Sequence, residues 1–539
     1  MTRLSMIRSR WATSTVIVPA LLLCLTDSCT NLTEVPHDAL TPETAFHSSA
    51  EVLAGVAGVY STLRAVEWVG YETLQDLTTD VSIVPTRGSD WYDNGQWLDL
   101  HRQTWTANSA GTLAFINGAW NDMFGAVAKE NLMIDVITKA ASGASGDSAL
   151  AELRTLRAWD YYMLMDMFGG VPLVTTTELK QYPRVTRDSV FHFIESELLA
   201  ARDKLPAKWD AQYYGRVTKG AANAILASLY INAGIFGKNS GWSPNSYNSC
   251  GGVQASGGKT ACQAAIDAAN AVINSGVYSL STNWFQNFNL TNKTSTENIF
   301  VIVHVSDQGL GMSWPMRTLH YNQLSTGQGG PWNGFATTAE NFARFTPTDN
   351  RRGMWLFGQG VSFETGQAVN DRTGKPLVFT PVIADANAAS EGEGVRFNKF
   401  VPLPSAPSGA GATNDFPFFR LSEMYLIRAE AENELGQTAA AIADLATIHD
   451  AHDKTNTVAS MGLTSQAKIR DAILTERALE FSAEGKRRSD MIRAGRFLSW
   501  TESSKNGVSA NPRDAHFIVF PIPAPQLASN PLLTQNTGY

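Results

Sequence analysis

Long apolar runs are what this 539-residue chain most conspicuously lacks. After residue 29 no eighteen consecutive residues are apolar, so no later segment reads as a membrane-spanning helix. Positive charge is short as well. Forty-two Lys and Arg stand against 50 Asp and Glu, a net charge of -8 with pI near 5.7, which argues against nucleic acid. Charged residues make up 17% and hydrophobic residues 44%, so the composition of a disordered chain is also missing. Cysteine is scarce, four in all, and two of those fall within the first 30 residues.

Several catalytic signatures are absent too. Met312-Ser313-Trp314 lacks the Gly-x-Ser-x-Gly frame of a nucleophile elbow. Gly258-Lys259-Thr260 resembles the end of a phosphate-binding loop, but Val253 stands where its first glycine belongs and no apolar strand precedes it. His449 and His452 have metal-ligand spacing without a third spaced ligand, and they read as a solvated helix end. No cofactor is expected.

What is present begins at the N-terminus. Arg3, Arg8 and Arg10 precede a short apolar run from Val16 to Leu25, and Ser28 sits directly before Cys29. That layout reads as a secretory signal over 1–28, with Cys29 as the lipidated first residue of the mature protein. Several acyl chains on one residue anchor a protein at a membrane surface. Thr26 occupies the place where the lipid-attachment motif usually carries Leu, and the alternative is an ordinary secretory signal that ends near a cysteine. Cys250 and Cys262 bracket a Gly/Ser-rich loop. In an oxidising setting they read as a disulfide contributing about 3 kcal/mol on the chain-entropy model, two unpaired thiols being the alternative.

The remaining length is more than one simple core serves, so packed subdomains are expected. Ser48-x-x-Glu51 forms a capping box ahead of the stripe Val52, Val56, Val59, Tyr60 and Leu63. The pattern predicts helices over 109–140, 147–168, 186–204, 218–235, 260–274, 420–436, 437–451 and 466–494. Strands are expected over 299–305 and 516–520. The stretch 306–415 is rich in Gly, Pro, Asn and aromatics and has little helical period. Alanines along the stripes of 224–230, 264–269, 425–435 and 440–445 suit closely packed, tetratricopeptide-like hairpins.

Glu476, Glu480 and Glu484 recur every four residues, and nearby Arg477, Arg487, Arg488 and Arg493, with Arg154 and Arg157 from another helix, favour a structural ion network. The aromatics offer different chemistry. Trp91 to Trp97 alternates rings with amides and carboxylates, and similar mixtures recur at Ser313 to Gln323 and Gly330 to Asn333. Flat rings with a few polar groups on loops make a rigid surface for sugar faces. Trp91, Trp97, Trp314, Tyr321 and Trp332 are the candidate ligand-binding rings, with Asp80 and Arg87 as polar partners.

A series of motifs then falls in one order. It runs from Cys29 to Pro36, through Leu153 to Tyr162, Phe168 to Val174, Val217 to Ala227 and Arg420 to Glu430. The most specific is Glu476-Arg477-x-x-Glu480-Phe481-x-x-Glu484-Gly485-x-Arg487-x-x-Asp490-x-x-Arg493-x-Gly495, and Phe520 to Pro523 and Asn530 to Tyr539 close the series. In these the chain resembles the SusD/RagB family of outer-membrane nutrient-binding lipoproteins. The resemblance implies a mainly α fold: a superhelix of about four tetratricopeptide-like helix pairs carrying a loop-rich, small-β cap. It also implies that the protein is not an enzyme. Its role would be to capture glycan at the cell surface and deliver it to a SusC-like TonB-dependent transporter. The expected organisation is a signal peptide (1–28), a lipidated tether (29–47), an N-terminal helical part (48–240), a loop-rich ligand-facing region (241–415) and C-terminal helices with a closing tail (416–539). Two alternatives stay open: the same fold binding peptides or other small organic nutrients, and a surface glycoside hydrolase using two of the carboxylates.

Overall fold

The first helix, α1 (Ser49–Tyr60), opens on a reciprocal cap. The Ser48 hydroxyl accepts the Glu51 N–H at 3.3 Å, and the Glu51 carboxylate accepts the Ser48 N–H at 2.8 Å. Val56 and Val59 of this helix and Leu63 beyond it are buried in the main core. The computed structural model describes residues 48–67, 70–140, 144–306, 310–325, 330–403, 412–502, 507–508 and 512–539. The expected signal segment, the tether and Cys29 lie outside them.

The body is a run of helices that pack in chain order. These are α2 (Asn117–Ala140), α3 (Ala144–Phe168), α4 (Arg187–Ala201), α5 (Lys219–Ile231), α6 (Ala261–Ile273), α7 (Leu421–Glu434), α8 (Thr438–His452) and α9 (Gln466–Phe481). Ala224 and Ala227 on α5, Ala265 and Ala269 on α6 and Ala431 on α7 are fully buried. Small side chains there let neighbouring helices approach closely and bury their stripes against each other. The α3 helix stops where Gly169 adopts φ +73°, a conformation that costs glycine nothing. A disulfide joins Cys250 to Cys262, Cα atoms 5.0 Å apart, and so ties the preceding loop to the first turn of α6.

Helices α6 and α7 touch, yet residues 274–420 lie between them in sequence. This long excursion is closed at its root by β1 (Asn298–Ile302) pairing antiparallel with β6 (Phe416–Arg420). Two further two-stranded sheets stiffen it: β2 (Trp355–Leu356) with β5 (Arg396–Phe397), and β3 (Gly358–Gln359) with β4 (Val378–Phe379). The fold is therefore mainly helical with small sheets.

A buried ion cluster fastens the excursion to the helical body. Arg351 reaches Glu476 at 2.6 Å and Glu480 at 2.8 Å. Arg420 reaches Glu297, Glu480 and Glu484 at 2.6–2.9 Å, and Lys399 bonds Glu484. These cations and carboxylates are almost wholly shielded from solvent. Against burial, which would raise it, the neighbouring guanidinium of Arg420 holds the Glu480 carboxyl well below its ordinary range. The network is structural, as expected, but its cations differ from those nominated by sequence. Arg477 and Arg493 pair instead with Glu423, Asp490 and Glu430, and Arg157 and Arg154 pair with Glu197. Near neighbours in sequence lost to residues that the excursion delivers to the same helix face.

Two element expectations are corrected. The helix predicted over 466–494 breaks after Phe481, where Ala483 at φ +64° and Gly485 at φ +68° turn the chain into α10 (Arg487–Arg493). Glu484 thus belongs to the turn and not to the α9 face. The 516–520 strand is instead a 3-10 turn, Ala515–Ile518. Its apolar residues pack on Trp105, whose ring lies 4.9 Å from Phe517 and 5.1 Å from Phe520, and no second strand pairs with it among the described residues.

Candidate functional site

Two irregular segments meet on the excursion side of the helical body. Residues 78–97 follow the short helix Tyr71–Leu77, and residues 312–325 and 330–337 belong to the long excursion. Ile83 and Ala336 exchange backbone hydrogen bonds at 2.9 Å. The Thr337 and Thr338 hydroxyls donate to the Val81 and Asp80 carbonyls at 2.8 and 2.7 Å. These contacts bind the two segments into one platform.

Between them lies a cleft of about 850 Å³, within the size range of small-molecule sites. Trp91, Trp97, Tyr321 and Trp332 line it, together with Phe115 and Phe335. The loop that carries Trp91 is strained. Trp91, Asp93 and Asn94 adopt φ of +62°, +39° and +57°, where side chains rarely sit, and Gly95 follows at +80°. Strain of this kind costs of order 1 kcal/mol or more per residue and persists only where surrounding contacts over-determine it.

Those contacts are specific. The Trp91 indole N–H donates to the Trp332 carbonyl at 2.6 Å, and the Trp97 N–H donates to the Asp93 carboxylate at 2.7 Å. Trp91 meets Trp97 edge-on at 5.2 Å, and Phe335 lies 5.9 Å from Trp91 and 5.6 Å from Trp97. Gly334 backs the Trp91 ring so closely that no β-carbon would fit. On the far wall the Tyr321 hydroxyl donates to Asp90 at 2.6 Å, and the Arg372 guanidinium lies 3.9 Å over the Tyr321 ring. Arg372 also bonds Asp90 at 2.8 Å and Glu391. The Tyr321 hydroxyl bond is the leading reason that the Asp90 carboxyl sits below its ordinary range. The same pairing, added to burial, raises the Tyr321 phenol.

Three residues nominated from sequence stand elsewhere. Trp314 is 2% exposed and packs on Phe335, Phe397 and Phe400 in the core, because the short helix it starts, Trp314–Thr318, is buried at every position. Asp80 is buried and bonds Arg487 at 2.8 and 2.9 Å as well as Arg344, so those two guanidinium groups overcome burial and keep it ionised. Arg87 lies under the platform, its guanidinium donating to the Asn333, Gly334 and Glu393 carbonyls at 2.9 Å. It positions the 333–334 segment without facing the cleft. Trp97 does line the cleft, but only 5% of it is exposed.

Sequence reasoning passed over Asp90, Asp93, Phe115 and Phe335. Asp93 lay inside the Trp91–Trp97 motif and was legible there. Phe115 sits in a π-helical turn, Thr112–Ile116, within a predicted helix, and nothing in its neighbourhood marks it. His449 and His452 hold no ligand-like arrangement: His449 bonds Glu476 at 2.6 Å and the Asn456 carbonyl at 2.7 Å, and His452 bonds Asn350 at 3.0 Å.

Comparison with known proteins gives a consistent assignment. Residues 263–539 match the family model described as the SusD family, and residues 37–231 match one described as starch-binding, associating with the outer membrane. SusD-like protein P25 of Formosa agariphila is 23% identical, covering 97% of this chain and 99% of its own. The starch-binding protein SusD of Bacteroides thetaiotaomicron is 24% identical over 83% of this chain and 82% of its own. A SusD-like protein structure from Bacteroides fragilis superposes with TM-score 0.72 at 20% identity, covering 93% of this chain and all of that one. The surface glycan-binding protein A of Bacteroides thetaiotaomicron, in complex with laminarihexaose, superposes with TM-score 0.70 at 19% identity, covering 90% and 99%.

Proposed function

This chain belongs to the SusD family, and from that premise we propose that it is a cell-surface receptor that binds glycan without turning it over. The bound glycan passes to a SusC-like TonB-dependent transporter in the outer membrane, with Cys29 carrying the lipid anchor. One observation carries the binding reading: four indole and phenol rings from two distant segments converge on a single cleft beside the carboxylates Asp90 and Asp93. Ring faces stack on the C–H faces of sugars, and carboxylates accept hydrogen bonds from hydroxyl groups. Stacking supplies about 0.5–1.5 kcal/mol per ring beyond area burial, which suits exchangeable, micromolar affinity. A receptor that hands its cargo on needs that exchange.

The family names of the relatives, starch-binding and glycan-binding among them, support the same ligand class. The hydrolase alternative that uses two carboxylates of the Glu476–Glu484 series would need them free and at substrate. Glu476, Glu480 and Glu484 are enclosed and each is held by a cation, so they serve the scaffold. Calorimetry with a panel of neutral oligosaccharides tests the proposal. Binding without release of new reducing ends is expected, with Trp91→Ala and Trp332→Ala each weakening it several-fold. Unaltered affinity in both variants would place the ligand elsewhere, and new reducing ends would make the protein an enzyme. Palmitate labelling lost in Cys29→Ala is the expected sign of lipidation, and labelling unchanged in that variant would refute it.

A further inference from the structure

We infer that the cleft selects by charge, accepting uncharged glycans and rejecting those that bear carboxylate or sulfate groups. This rests on the glycan-binding reading above and narrows it. Among the described residues that line the cleft, the one cation is Arg317. Its side chain is fully buried and its guanidinium is spent on Glu67, at 3.0 Å and through the Glu67 carbonyl at 2.7 Å, and on Glu72 at 3.3 Å. Arg87, under the same floor, is consumed by backbone carbonyls.

Among the described residues near the Tyr321 wall, Arg396 is fully buried and bonds Asn333 and the Glu391 carbonyl, and Arg372 is held between two carboxylates, Asp90 and Glu391. The Arg372 side chain is 46% accessible, but its single charge is outnumbered by its two carboxylate partners. The Asp90 side chain is 33% accessible, and Asp93 is exposed at the cleft wall. The local balance is thus negative.

An ionised carboxylate is an acceptor only, so it pairs with sugar hydroxyl groups, and it repels rather than bonds the carboxylate or sulfate group of an acidic sugar. An anionic ligand entering beside aromatic walls loses hydration, gains no free cation and meets like charge where the effective dielectric is lowered. That is selection by an unfavourable contact with the wrong ligand, and not only by attraction to the right one.

A matched ligand pair tests this. One member is a neutral oligosaccharide that binds, and the other is the same oligosaccharide oxidised at its primary hydroxyl groups to carboxylates. Calorimetry is expected to show the oxidised form binding at least about tenfold more weakly. Asp93→Asn, which keeps an acceptor for the Trp97 N–H, should narrow the gap, and adding Asp90→Asn should narrow it further. Added salt should strengthen binding of the oxidised form to the unsubstituted protein, a readout that requires no variant to fold. Equal or tighter binding of the oxidised form overturns charge selection and leaves glycan binding standing. Failure of every neutral glycan to bind overturns both.

Discussion

A methyl group added at Gly334 would sit 2.3 Å from Cζ2 and 2.4 Å from Cε2 of the Trp91 indole. Gly334 does not have a left-handed backbone, so Gly334→Ala probes space alone. A rigid ring cannot give by rotating one terminal atom, and the indole must leave its position. Leaving it strands the Trp91 N–H bond to the Trp332 carbonyl, worth about 1 kcal/mol. It also loosens edge-on contacts with Trp97 and Phe335, at about 0.5–1.5 kcal/mol per aromatic pair. Overpacking in this setting typically costs about 1–3 kcal/mol in stability. If Trp91 stacks on ligand, affinity should fall about two- to tenfold. Denaturant unfolding reads the first quantity and glycan calorimetry the second. Gly125→Ala is the control: it lies on the exposed face of α2 with nothing within 4 Å, and should stabilise by about 1 kcal/mol without touching affinity. A Gly334→Ala protein with unchanged stability and unchanged affinity would refute the packing argument itself.

Three further outcomes are expected. Arg420→Met leaves Glu297, Glu480 and Glu484 short of a buried partner and should cost about 3–5 kcal/mol in urea unfolding; a loss under 1 kcal/mol would mean the cluster does little to hold the excursion. Trp314→Ala should cost about 3–5 kcal/mol in stability as a core truncation, and folded protein should retain glycan affinity, whereas an affinity loss matching that of Trp91→Ala would return Trp314 to the site. Burial pushes the Asp76 carboxyl from 3.8 up to about 7. A group raised in the fold contributes its stability in full below its unfolded value and loses it as pH rises through the folded one. Asp76→Asn should therefore stabilise more at pH 8 than at pH 5, by melting temperature, and a flat or reversed difference would contradict the assignment.

Much of this architecture was legible before any coordinates. The capping box at Ser48, the alanine stripes and the Gly169 stop are local signals with local causes, and they report helices wherever neighbouring residues suffice to specify the backbone. The rings of Trp91, Trp97, Tyr321 and Trp332 were legible as a chemical type, since aromatics in loops lacking helical period have no stripe to join. Trp314 carried the same signature and went to the core. A tryptophan in a short helix that the surrounding chain encloses at every position cannot be told by pattern from one left at a cleft. Asp80 and Arg87 misled for a related reason: both are polar and close in sequence to Trp91, yet their partners, Arg487 and the 333–334 carbonyls, stand hundreds of positions away.

The chain's order of residues determined its helical class, its lack of a membrane-spanning stretch after residue 29 and the kind of side chain available for recognition, because each depends on spacing and composition alone. Tertiary structure decided which cations answer the buried carboxylates and which rings share one cleft, because both depend on the 274–420 excursion folding back onto the helices. It also decided the cleft's charge. A charge counts toward recognition only through the balance that folding leaves at the site: here Arg372 is matched by both Asp90 and Glu391, and Asp93 stays exposed with no cation paired to it among the described residues.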